Sequence, residues 1–435
     1  LIFRAIGGKA EINRHAASDP DRFEPMAEPA LEALRTIIAE SHIHLPRGLP
    51  PMSAGIFGYL GYDMVRQMEK LPEPNPDPLG FPDAVMIRPT VIVVFDAVKD
   101  EITIVTPVRS EAGVTAAQAN ARAVDRLTAV VDALDAPLDK SADGAELNPD
   151  IPVVSNTPRE TYLDMVKRAK EYIAAGDIFQ VVLSQRFEAP FDLPPFSLYR
   201  ALRRTNPSPY LYYLDFGGFA LAGSSPEILV RVRDGEVTIR PIAGTRPRGK
   251  TEEEDKALAV ELLADPKERA EHLMLLDLGR NDVGRVAEIG SVNVTESFVI
   301  ERFSHVMHIS SNVEGRIRPE ADALDALIAG FPAGTLSGAP KVRAMEIIEE
   351  FEPSRRGLYG GCIGYFAANG TMDTCIALRT ALIRDGRLYV QAGVGIVADS
   401  DPDAELAESH AKARALFRAA EDAGQYVTPN EAPAR

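Results

Sequence analysis

The fold class is set by residues 362–396, CIGYFAANGTMDTCIALRTALIRDGRLYVQAGVGI, in which two turn dipeptides separate three runs of strand-forming residues. The dipeptides are Asn369-Gly370 and Asp385-Gly386, and a third, Asp234-Gly235, lies between similar runs earlier in the chain. Asn-Gly and Asp-Gly accept the positive φ angles of two-residue hairpin turns, so each predicts two adjacent antiparallel strands. Because the strands come in neighbouring pairs and the helices are grouped apart, we predict an α+β fold with mainly antiparallel β-sheets.

The chain is long enough for two lobes, because 435 residues exceed what one hydrophobic core usually organises. Residues 136–158 are rich in Pro, Asp, Ala and Asn and follow a helix with a periodic apolar face. That face carries Val124, Leu127, Val131 and Leu134. We therefore predict an N-terminal lobe over residues 1–145 and a second domain over residues 146–435. Leu1 already belongs to a strand-like run, so we expect a segment upstream of it.

The composition limits the partners and the compartment of the protein. A formal net charge of -17 would repel nucleic acids and anionic membranes, so we expect neither as a partner. No apolar run approaches the roughly twenty residues that span a bilayer, and we expect a cytoplasmic protein. Cys362 and Cys375 lie in apolar strand-like runs without zinc-ligand spacing, which predicts reduced, packed thiols.

Residues 244–251, GTRPRGKT, fit the phosphate-loop pattern of nucleotide hydrolases. The strand before them is the second arm of the Asp234-Gly235 hairpin, so the parallel strand-loop-helix unit of that motif is missing. Four carboxylates follow at residues 252–255, where bound phosphates require a positive helix end. The sequence therefore disfavours a nucleotide site, and an ATPase is kept only as an alternative.

Two helices carry carboxylates that a metal ion could use. Glu405, Glu408 and Lys412 fall at i, i+3 and i+7 and project from one face, although such a pattern alone is more often a solvated surface. Glu271 and His272 lie in a helix so apolar that the carboxylate requires a partner. Oxygen ligands without a cysteine or paired-histidine signature favour a hard cation such as Mg²⁺, which takes one or two carboxylates. Glu271 and Glu408 are the candidate pair.

Five motifs occur in an order that is specific to one family. They are Pro241-Ile242-Ala243-Gly244-Thr245-Arg246, Glu271-His272-Leu273-Met274-Leu275, Asp277-Leu278-Gly279-Arg280-Asn281-Asp282, Thr335-Leu336-Ser337-Gly338-Ala339-Pro340-Lys341 and the run from Glu405 to Lys412. Together they resemble the chorismate-utilising enzymes, which include anthranilate, aminodeoxychorismate, isochorismate and salicylate synthases. The N-terminal lobe resembles the family more weakly, through Gly55-Ile56-Phe57-Gly58-Tyr59 and Gly61-Tyr62-Asp63. The resemblance implies the family's fold, in which antiparallel β-sheets pack face to face with helices on the outside. It also implies regulation on the N-terminal side and chorismate bound by the second domain.

The resemblance also implies a magnesium site and two catalytic groups. Glu271 and Glu408 match the metal ligands, with Glu405 close by, and Mg²⁺ would hold the ring carboxylate of chorismate. Glu227 matches the general acid that protonates the departing C4 hydroxyl. His308 matches a histidine that assists the loss of pyruvate. From the residues alone, Glu227 fits a turn cap and His308 a core histidine equally well.

The remaining implied site residues bind the substrate. Tyr359 and Arg379 match positions that hold the enolpyruvyl carboxylate, whose planar shape suits a guanidinium. The positions that match the ring-carboxylate site and the surrounding pocket are Lys412, Gly393, Gly395, Thr245 and Thr335. Without the resemblance, Arg379 fits an ordinary strand arginine, Tyr359 a core aromatic and the two glycines a close backbone approach.

Two positions distinguish among members of the family. Gln180 stands where the isochorismate and salicylate synthases have a lysine that activates water, and an amide has no basic lone pair for that task. Ala243 stands where aminodeoxychorismate synthases commonly have a nucleophilic lysine. The resemblance then implies direct amination at C2 followed by loss of pyruvate, which gives anthranilate. Aminodeoxychorismate, isochorismate or salicylate synthesis and a non-catalytic chorismate- or tryptophan-binding subunit are the alternatives.

The resemblance implies two further ligands besides chorismate. Ammonia would come from a separate glutamine amidotransferase subunit, in a heterotetramer, because the chain has no room for a second full domain. The residues that resemble part of the family's tryptophan feedback pocket are Asn206, Pro207, Ser208 and Tyr210. The other part, an L-L-E-S motif, does not occur in these residues.

Overall fold

The computed structural model describes residues 1–137, 151–303 and 306–427. The strands in these ranges are β1 (Ile2–Ile6), β2 (Lys9–Asn13), β3 (Glu24–Pro29), β4 (Gly55–Leu60), β5 (Ala84–Ile87), β6 (Ile92–Asp96), β7 (Glu101–Val105), β8 (Val154–Ser155), β9 (Gln180–Pro190), β10 (Tyr210–Asp215), β11 (Ala220–Ser225), β12 (Ile228–Arg233), β13 (Glu236–Ile239), β14 (Ile242–Pro247), β15 (Asn293–Arg302), β16 (Val306–Arg316), β17 (Gly338–Ala339), β18 (Cys362–Ala367), β19 (Met372–Ile376), β20 (Thr380–Arg384) and β21 (Arg387–Ile396). The α-helices are α1 (Ala30–Ser41), α2 (Ala116–Asp135), α3 (Arg159–Ala175), α4 (Pro195–Thr205), α5 (Glu252–Ala264), α6 (Pro266–Gly284), α7 (Ala323–Gly330), α8 (Gly334–Ser337), α9 (Lys341–Phe351) and α10 (Pro402–Asp422). Short 3-10 helices cover Pro51–Ser53, Tyr62–Gln67 and Ala423–Tyr426.

These strands form two main sheets and one separate hairpin within the described ranges. The 12-stranded sheet has the order β14-β16-β13-β12-β19-β18-β4-β5-β1-β2-β3, with β15 paired to β16. The 7-stranded sheet has the order β10-β11-β20-β21-β9-β17, with β8 paired to β9. Strands β6 and β7 pair only with each other. The predicted α+β fold with antiparallel sheets is confirmed.

The three predicted hairpins form, although one of them has a longer loop than expected. Asp234 and Gly235 have φ angles of 52° and 79°, and Asp385 and Gly386 have 51° and 70°, as two-residue type I′ turns require. At the third turn only Gly370 has a positive φ, 88°. Its amide donates to the Ala367 carbonyl at 3.1 Å, which leaves a three-residue loop. The predicted two-residue length is therefore wrong at this hairpin.

The two main sheets pack face to face through one apolar cluster. Tyr59 and Ile363 contribute from the larger sheet, and Leu221 and Leu382 from the smaller one. All four side chains are buried. Burial of a side chain of this size contributes about 1.5–3 kcal/mol, so the cluster fixes how the sheets lie against each other.

The larger sheet contains strands from both sides of the predicted domain boundary. Strand β4 pairs with β18 in a continuous register from Gly55 opposite Ala367 to Leu60 opposite Cys362. The N-terminal strands therefore complete a sheet that the later strands begin. The predicted boundary at residue 145 lies outside the described residues and stays a prediction.

Helix α2 is present, but its predicted apolar face is not buried. Val124, Val131 and Leu134 are exposed by 50%, 44% and 45%, and Ala123 is the buried residue of this helix. The helix lies beside the separate β6–β7 hairpin, and neither belongs to a main sheet. The predicted helix is therefore confirmed, whereas most of its apolar face lies at the surface.

Other predictions from composition can be compared with the structure. Cys362 and Cys375 are free and buried, as predicted, and burial raises the pKa of the Cys362 thiol to about 12. Within the described ranges, no helix combines the length and the apolar character that crossing a membrane requires.

Candidate active site

A cavity of about 650 Å³ lies where the two sheets and their covering helices meet. On the side of the larger sheet the cavity is lined by β14, β16 and helix α6. On the side of the smaller sheet it is lined by β9, β21 and helix α10. The cavity is lined by all the residues predicted for catalysis, substrate binding and metal binding. These are Gln180, Glu227, Thr245, Glu271, His308, Thr335, Tyr359, Arg379, Gly393, Gly395, Glu405, Glu408 and Lys412. The structure thus brings the predicted residues together, whereas their individual roles stay predictions.

The three carboxylates predicted for metal binding come from two different helices. Glu271 projects from α6, and Glu405 and Glu408 project from α10. Burial raises the pKa of Glu271, and the charges of Glu268 and Glu408 raise it further. Burial also raises the pKa of Glu405. Anionic groups that repel one another in a partly buried space are stabilised by a cation.

The donor chemistry of this cluster fits a hard divalent ion. The described residues contain no group of three or more His, Cys, Asp or Glu side chains arranged to hold a metal, so the three carboxylates do not form a closed cage. Mg²⁺ needs no such cage, since it takes one or two carboxylates and completes its shell with water and substrate oxygens. Glu271 and Glu408 are the donors that would serve it, with Glu405 beside them.

The Lys412 ammonium contacts one group on its own helix, α10, and one group on β21. Its Nζ lies 3.0 Å from Oε1 of Glu408 and donates to the Gly393 carbonyl at 3.1 Å. The side chains of Lys412 and Glu408 are 44% and 54% exposed, so this ion pair contributes at most about 1 kcal/mol. The ammonium can therefore exchange its carboxylate partner for an anionic ligand at low cost.

The surroundings of Glu227 favour the protonated form of its side chain. It lies between β11 and β12 and is only 7% exposed. Burial raises its pKa to about 8, although Thr335 donates to its Oε1 at 3.2 Å and the positive charge of Arg379 opposes the shift. A protonated acid that lines a cavity can donate its proton to a leaving group.

His308 is held as a neutral imidazole with a defined tautomer. Its Nδ1 lies 2.8 Å from the Gly244 carbonyl oxygen, which can only accept, so Nδ1 carries the proton. The Thr245 hydroxyl lies 3.1 Å from the same nitrogen. Burial lowers the pKa of His308. The other ring nitrogen, Nε2, is therefore left as a proton acceptor.

Arg379 has the properties of a residue that binds an anion. Its φ angle is +49°, which is unusual for a residue other than glycine and is typical of strained functional positions. Burial lowers its pKa, and the charge that opposes this shift is that of Glu227. Because burial raises the pKa of Glu227, that group gives little neutralisation at neutral pH, and the guanidinium favours an anionic ligand.

Tyr359 and the two glycines of β21 form a closely packed part of the wall. A side chain at Gly393 would place its Cβ 2.9 Å from the Tyr359 hydroxyl and 2.7 Å from the Leu183 carbonyl oxygen. At Gly395 it would lie 2.6 Å from Nε2 of Gln180. Position 393 therefore needs glycine, because the Leu183 backbone cannot easily move away. A side chain at position 395 would displace the amide of Gln180.

Gln180 contributes an acceptor without a partner. The residue is 2% exposed at the start of β9, and its Oε1 is buried without a hydrogen bond to another described residue. A buried carbonyl oxygen costs about 1–3 kcal/mol when it is unsatisfied. A ligand with an N–H or O–H group would satisfy it.

Three further residues with polar side chains line the cavity that the sequence analysis did not single out: Lys267, Glu268 and Gln391. Helical spacing could have found the first two, because they precede Glu271 by four and three residues on α6. Strand alternation could have found the third, because Gln391 shares a strand face with Gly393 and Gly395.

The residues predicted for tryptophan binding do not line this cavity. Asn206, Pro207 and Ser208 follow α4, and Tyr210 begins β10. The Tyr210 hydroxyl donates to Asp373 at 2.9 Å, and the hydroxyl oxygen of Ser208 is buried without a partner among the described residues. The four residues lie on one short segment, and their role stays a prediction.

The phosphate-loop pattern has no phosphate-binding structure around it. Residues 244–247 belong to β14 and not to the second arm of the hairpin, which is β13, so the predicted strand assignment is wrong. Strand β14 pairs antiparallel with β16, so the parallel unit is missing, as the sequence indicated. The Gly249 amide donates to Asp255 at 3.0 Å, and the Lys250 amide donates to Glu254 at 2.7 Å. The backbone donors that would hold phosphate are therefore already bound to carboxylates.

Comparisons with known proteins identify the family. Residues 4–418 match the family described as chorismate binding enzyme. The chain is 59% identical to anthranilate synthase component 1 of Cereibacter sphaeroides, over 98% of this chain and 85% of that protein. It is 55% identical to the protein of the same name from Pseudomonas putida, over 86% of this chain and 76% of that one. The crystal structure of anthranilate synthase component I from Streptococcus pneumoniae is similar with a TM-score of 0.85 at 39% identity, over 96% of this chain and 90% of that one.

Proposed function

The chain belongs to the chorismate-binding enzyme family, and from this premise we propose that it aminates chorismate with ammonia at a magnesium-dependent site. The reaction converts chorismate to anthranilate, a step of tryptophan biosynthesis, and the chain is the chorismate-converting component of an anthranilate synthase. Pyruvate is the second product.

The observation that supports ammonia as the nucleophile is the composition of the cavity wall. The two lysines that line the cavity, Lys267 and Lys412, lie on α6 and α10 beside the carboxylates. The positions at which family relatives use a lysine to activate water or to attack the ring hold Gln180 and Ala243, and both line the cavity. Water would remain a weak nucleophile here, whereas ammonia needs no activation and can donate a hydrogen bond to the free Oε1 of Gln180.

The first half-reaction adds nitrogen and removes the C4 hydroxyl. Ammonia forms a bond to C2, the two ring double bonds each shift by one position, and the C4–oxygen bond breaks. Hydroxide is a poor leaving group, so Glu227 gives it a proton and water departs. Arg379 and Tyr359 hold the enolpyruvyl carboxylate, and Lys412 holds the ring carboxylate. Mg²⁺ at Glu271 and Glu408 would neutralise charge at the ring carboxylate.

The second half-reaction makes the ring aromatic. Nε2 of His308 accepts the proton from C2, the bond between C3 and the enolpyruvyl oxygen breaks, and the released enol of pyruvate takes up a proton. The Gly244 carbonyl supports this step, because it keeps the proton of the neutral imidazole on Nδ1.

The proposal includes a partner, a regulator and a compartment. A second subunit with glutamine amidotransferase activity supplies ammonia, as the designation "component 1" of the relatives suggests, in a heterotetramer. Tryptophan binds near Asn206–Tyr210, where Ser208 offers a buried free hydroxyl. The free, buried thiols fit a reducing compartment such as the cytoplasm.

Anthranilate fluorescence tests the proposal directly. The purified chain is incubated with chorismate, Mg²⁺ and ammonium at a mildly alkaline pH, and in parallel with glutamine in place of ammonium. We expect anthranilate and pyruvate with ammonium, and no product with glutamine when the partner is left out. An aminated ring that keeps its side chain would identify the folate-pathway reaction instead. Isochorismate or salicylate would identify attack by water, and bound but unchanged chorismate would identify a non-catalytic subunit.

A further inference from the structure

His272 is a buried polar residue to which the mechanism gives no task. It follows Glu271 on α6, has no exposed surface and points away from the cavity toward the larger sheet. Its Nε2 lies 2.6 Å from the hydroxyl oxygen of Ser311 on β16. A buried polar group in a helix that could pack with leucine alone calls for a reason.

A β-bulge in the larger sheet contacts His272. The register between β15 and β16 shifts between Glu296 and Val299, so that two residues of β15 stand opposite Ser311. One of them is Phe298, whose φ is +52°, a conformation that costs a non-glycine residue about 1–2 kcal/mol. The Phe298 amide donates to the Ser311 hydroxyl oxygen at 3.0 Å. The same hydroxyl thus connects the strained strand to the helix.

The ring of Phe298 is held by two residues of α6 that are one turn apart. The imidazole of His272 contacts it edge to face, with ring centroids 4.8 Å apart. The guanidinium carbon of Arg269 lies 4.8 Å from the ring centroid. Each of these contacts contributes about 0.5–1.5 kcal/mol beyond the area buried. The bulge therefore fits into α6 at one defined rotation of the helix.

That rotation decides where Glu271 points. Glu268, Glu271 and Leu275 line the cavity, whereas His272, Leu276 and Gly279 lie buried against the sheet. Successive residues of a helix are 100° apart, so the cavity-lining stripe is adjacent to the anchored one. A carboxylate about 6 Å from the helix axis moves by about 2 Å when the helix turns by about 20°. Displacement of a binding group by only about 1 Å can cost about 100-fold in function.

We propose that His272 is a positioning residue: through Ser311 and Phe298 it fixes the rotation of α6, and thereby holds Glu271 in place as a metal ligand. The proposal rests on the proposed magnesium site. In this arrangement Glu271 binds the ion, and His272 sets the direction in which Glu271 points.

Metal binding by variants at these positions tests the proposal apart from turnover. Mn²⁺ serves as the probe, and free Mn²⁺ is measured by electron paramagnetic resonance with saturating chorismate and no ammonium, so that no amination occurs. His272→Leu should weaken Mn²⁺ binding about 10-fold to 100-fold. His272→Gln, whose amide can bond Ser311, should stay within about 3-fold of the wild type. In a Glu271→Gln background, His272→Leu should add less than about 2-fold, because the two residues act as one unit.

A matched control separates positioning from general loss of stability. Thr374 is 2% exposed, does not line the cavity, and its hydroxyl donates to the Val230 carbonyl at 2.7 Å. Thr374→Val should lower the melting temperature without changing Mn²⁺ binding. If His272→Leu binds Mn²⁺ as the wild type does, or adds its full effect in the Glu271→Gln background, the positioning role is wrong while the metal site stands. If wild type and Glu271→Gln bind Mn²⁺ equally, the metal site itself is wrong, and the inference falls with it.

Discussion

Replacement of Glu227 by glutamine tests the most specific electrostatic feature of the site. Glutamine has a similar shape and keeps a hydrogen-bond acceptor, but it cannot titrate. Burial raises the pKa of Glu227 from 4.5 to about 8, so the folded protein holds a proton there that the unfolded chain releases at neutral pH. Because the folded-state pKa is the higher one, the stability contributed by this group is complete below about pH 4.5. It is lost as the pH rises toward about 8.

The size of this effect follows from the shift. At about 1.4 kcal/mol per pKa unit, a shift from 4.5 to about 8 corresponds to about 5 kcal/mol over the whole interval. The Glu227→Gln variant escapes this cost, so its melting temperature should rise relative to wild type as the pH increases from 5 to 9. Its kcat should fall by about 100-fold to 10,000-fold, because water can no longer leave with the proton of Glu227. For the same reason the wild-type kcat should decline above about pH 8.

Thermal unfolding followed by circular dichroism at several pH values measures the stability difference, and anthranilate fluorescence measures kcat. Glu253→Gln is the control for the replacement of a glutamate outside the cavity, since Glu253 is exposed on α5. Parallel curves for Glu227→Gln and wild type would show that Glu227 is ionised throughout. Such curves would refute its assignment as the general acid.

Three other substitutions probe the remaining roles. Gln180→Lys should lower anthranilate formation and yield some isochorismate, because a lysine can activate water. The products are separated by chromatography. If anthranilate alone forms at the wild-type rate, Gln180 does not determine the nucleophile. His308→Met should release the aminated ring that still carries its pyruvyl side chain, detectable by mass spectrometry, whereas a full yield of anthranilate would exclude a role in pyruvate loss. Glu408→Gln should raise the Mg²⁺ concentration required for half-maximal rate by about 10-fold or more; an unchanged Mg²⁺ titration would contradict its assignment as a ligand.

The sequence by itself determined the features that depend on local backbone preferences and on residue identity. The turns at Asp234-Gly235 and Asp385-Gly386 form as expected, because these dipeptides accept positive φ at both positions. Fold class and family followed from these hairpins and from motifs whose residues are adjacent in sequence. The candidate site residues were taken from these motifs and from the resemblance to the family; all of them line one cavity, and their roles stay predictions.

Only the tertiary structure decided what depends on distant partners. The exposure of Val124 and Val131 could not be read from periodicity, because a helical pattern shows that a face is apolar but not what covers it. The pKa of Glu227 depends on burial created by chain segments far from it in sequence. The gathering of α6 and α10 around one cavity arises from the packing of the two sheets. The bulge at Phe298, which contacts α6, arises from the pairing of β15 with β16. Such packing is a property of the whole chain, whereas turn geometry is a property of two residues.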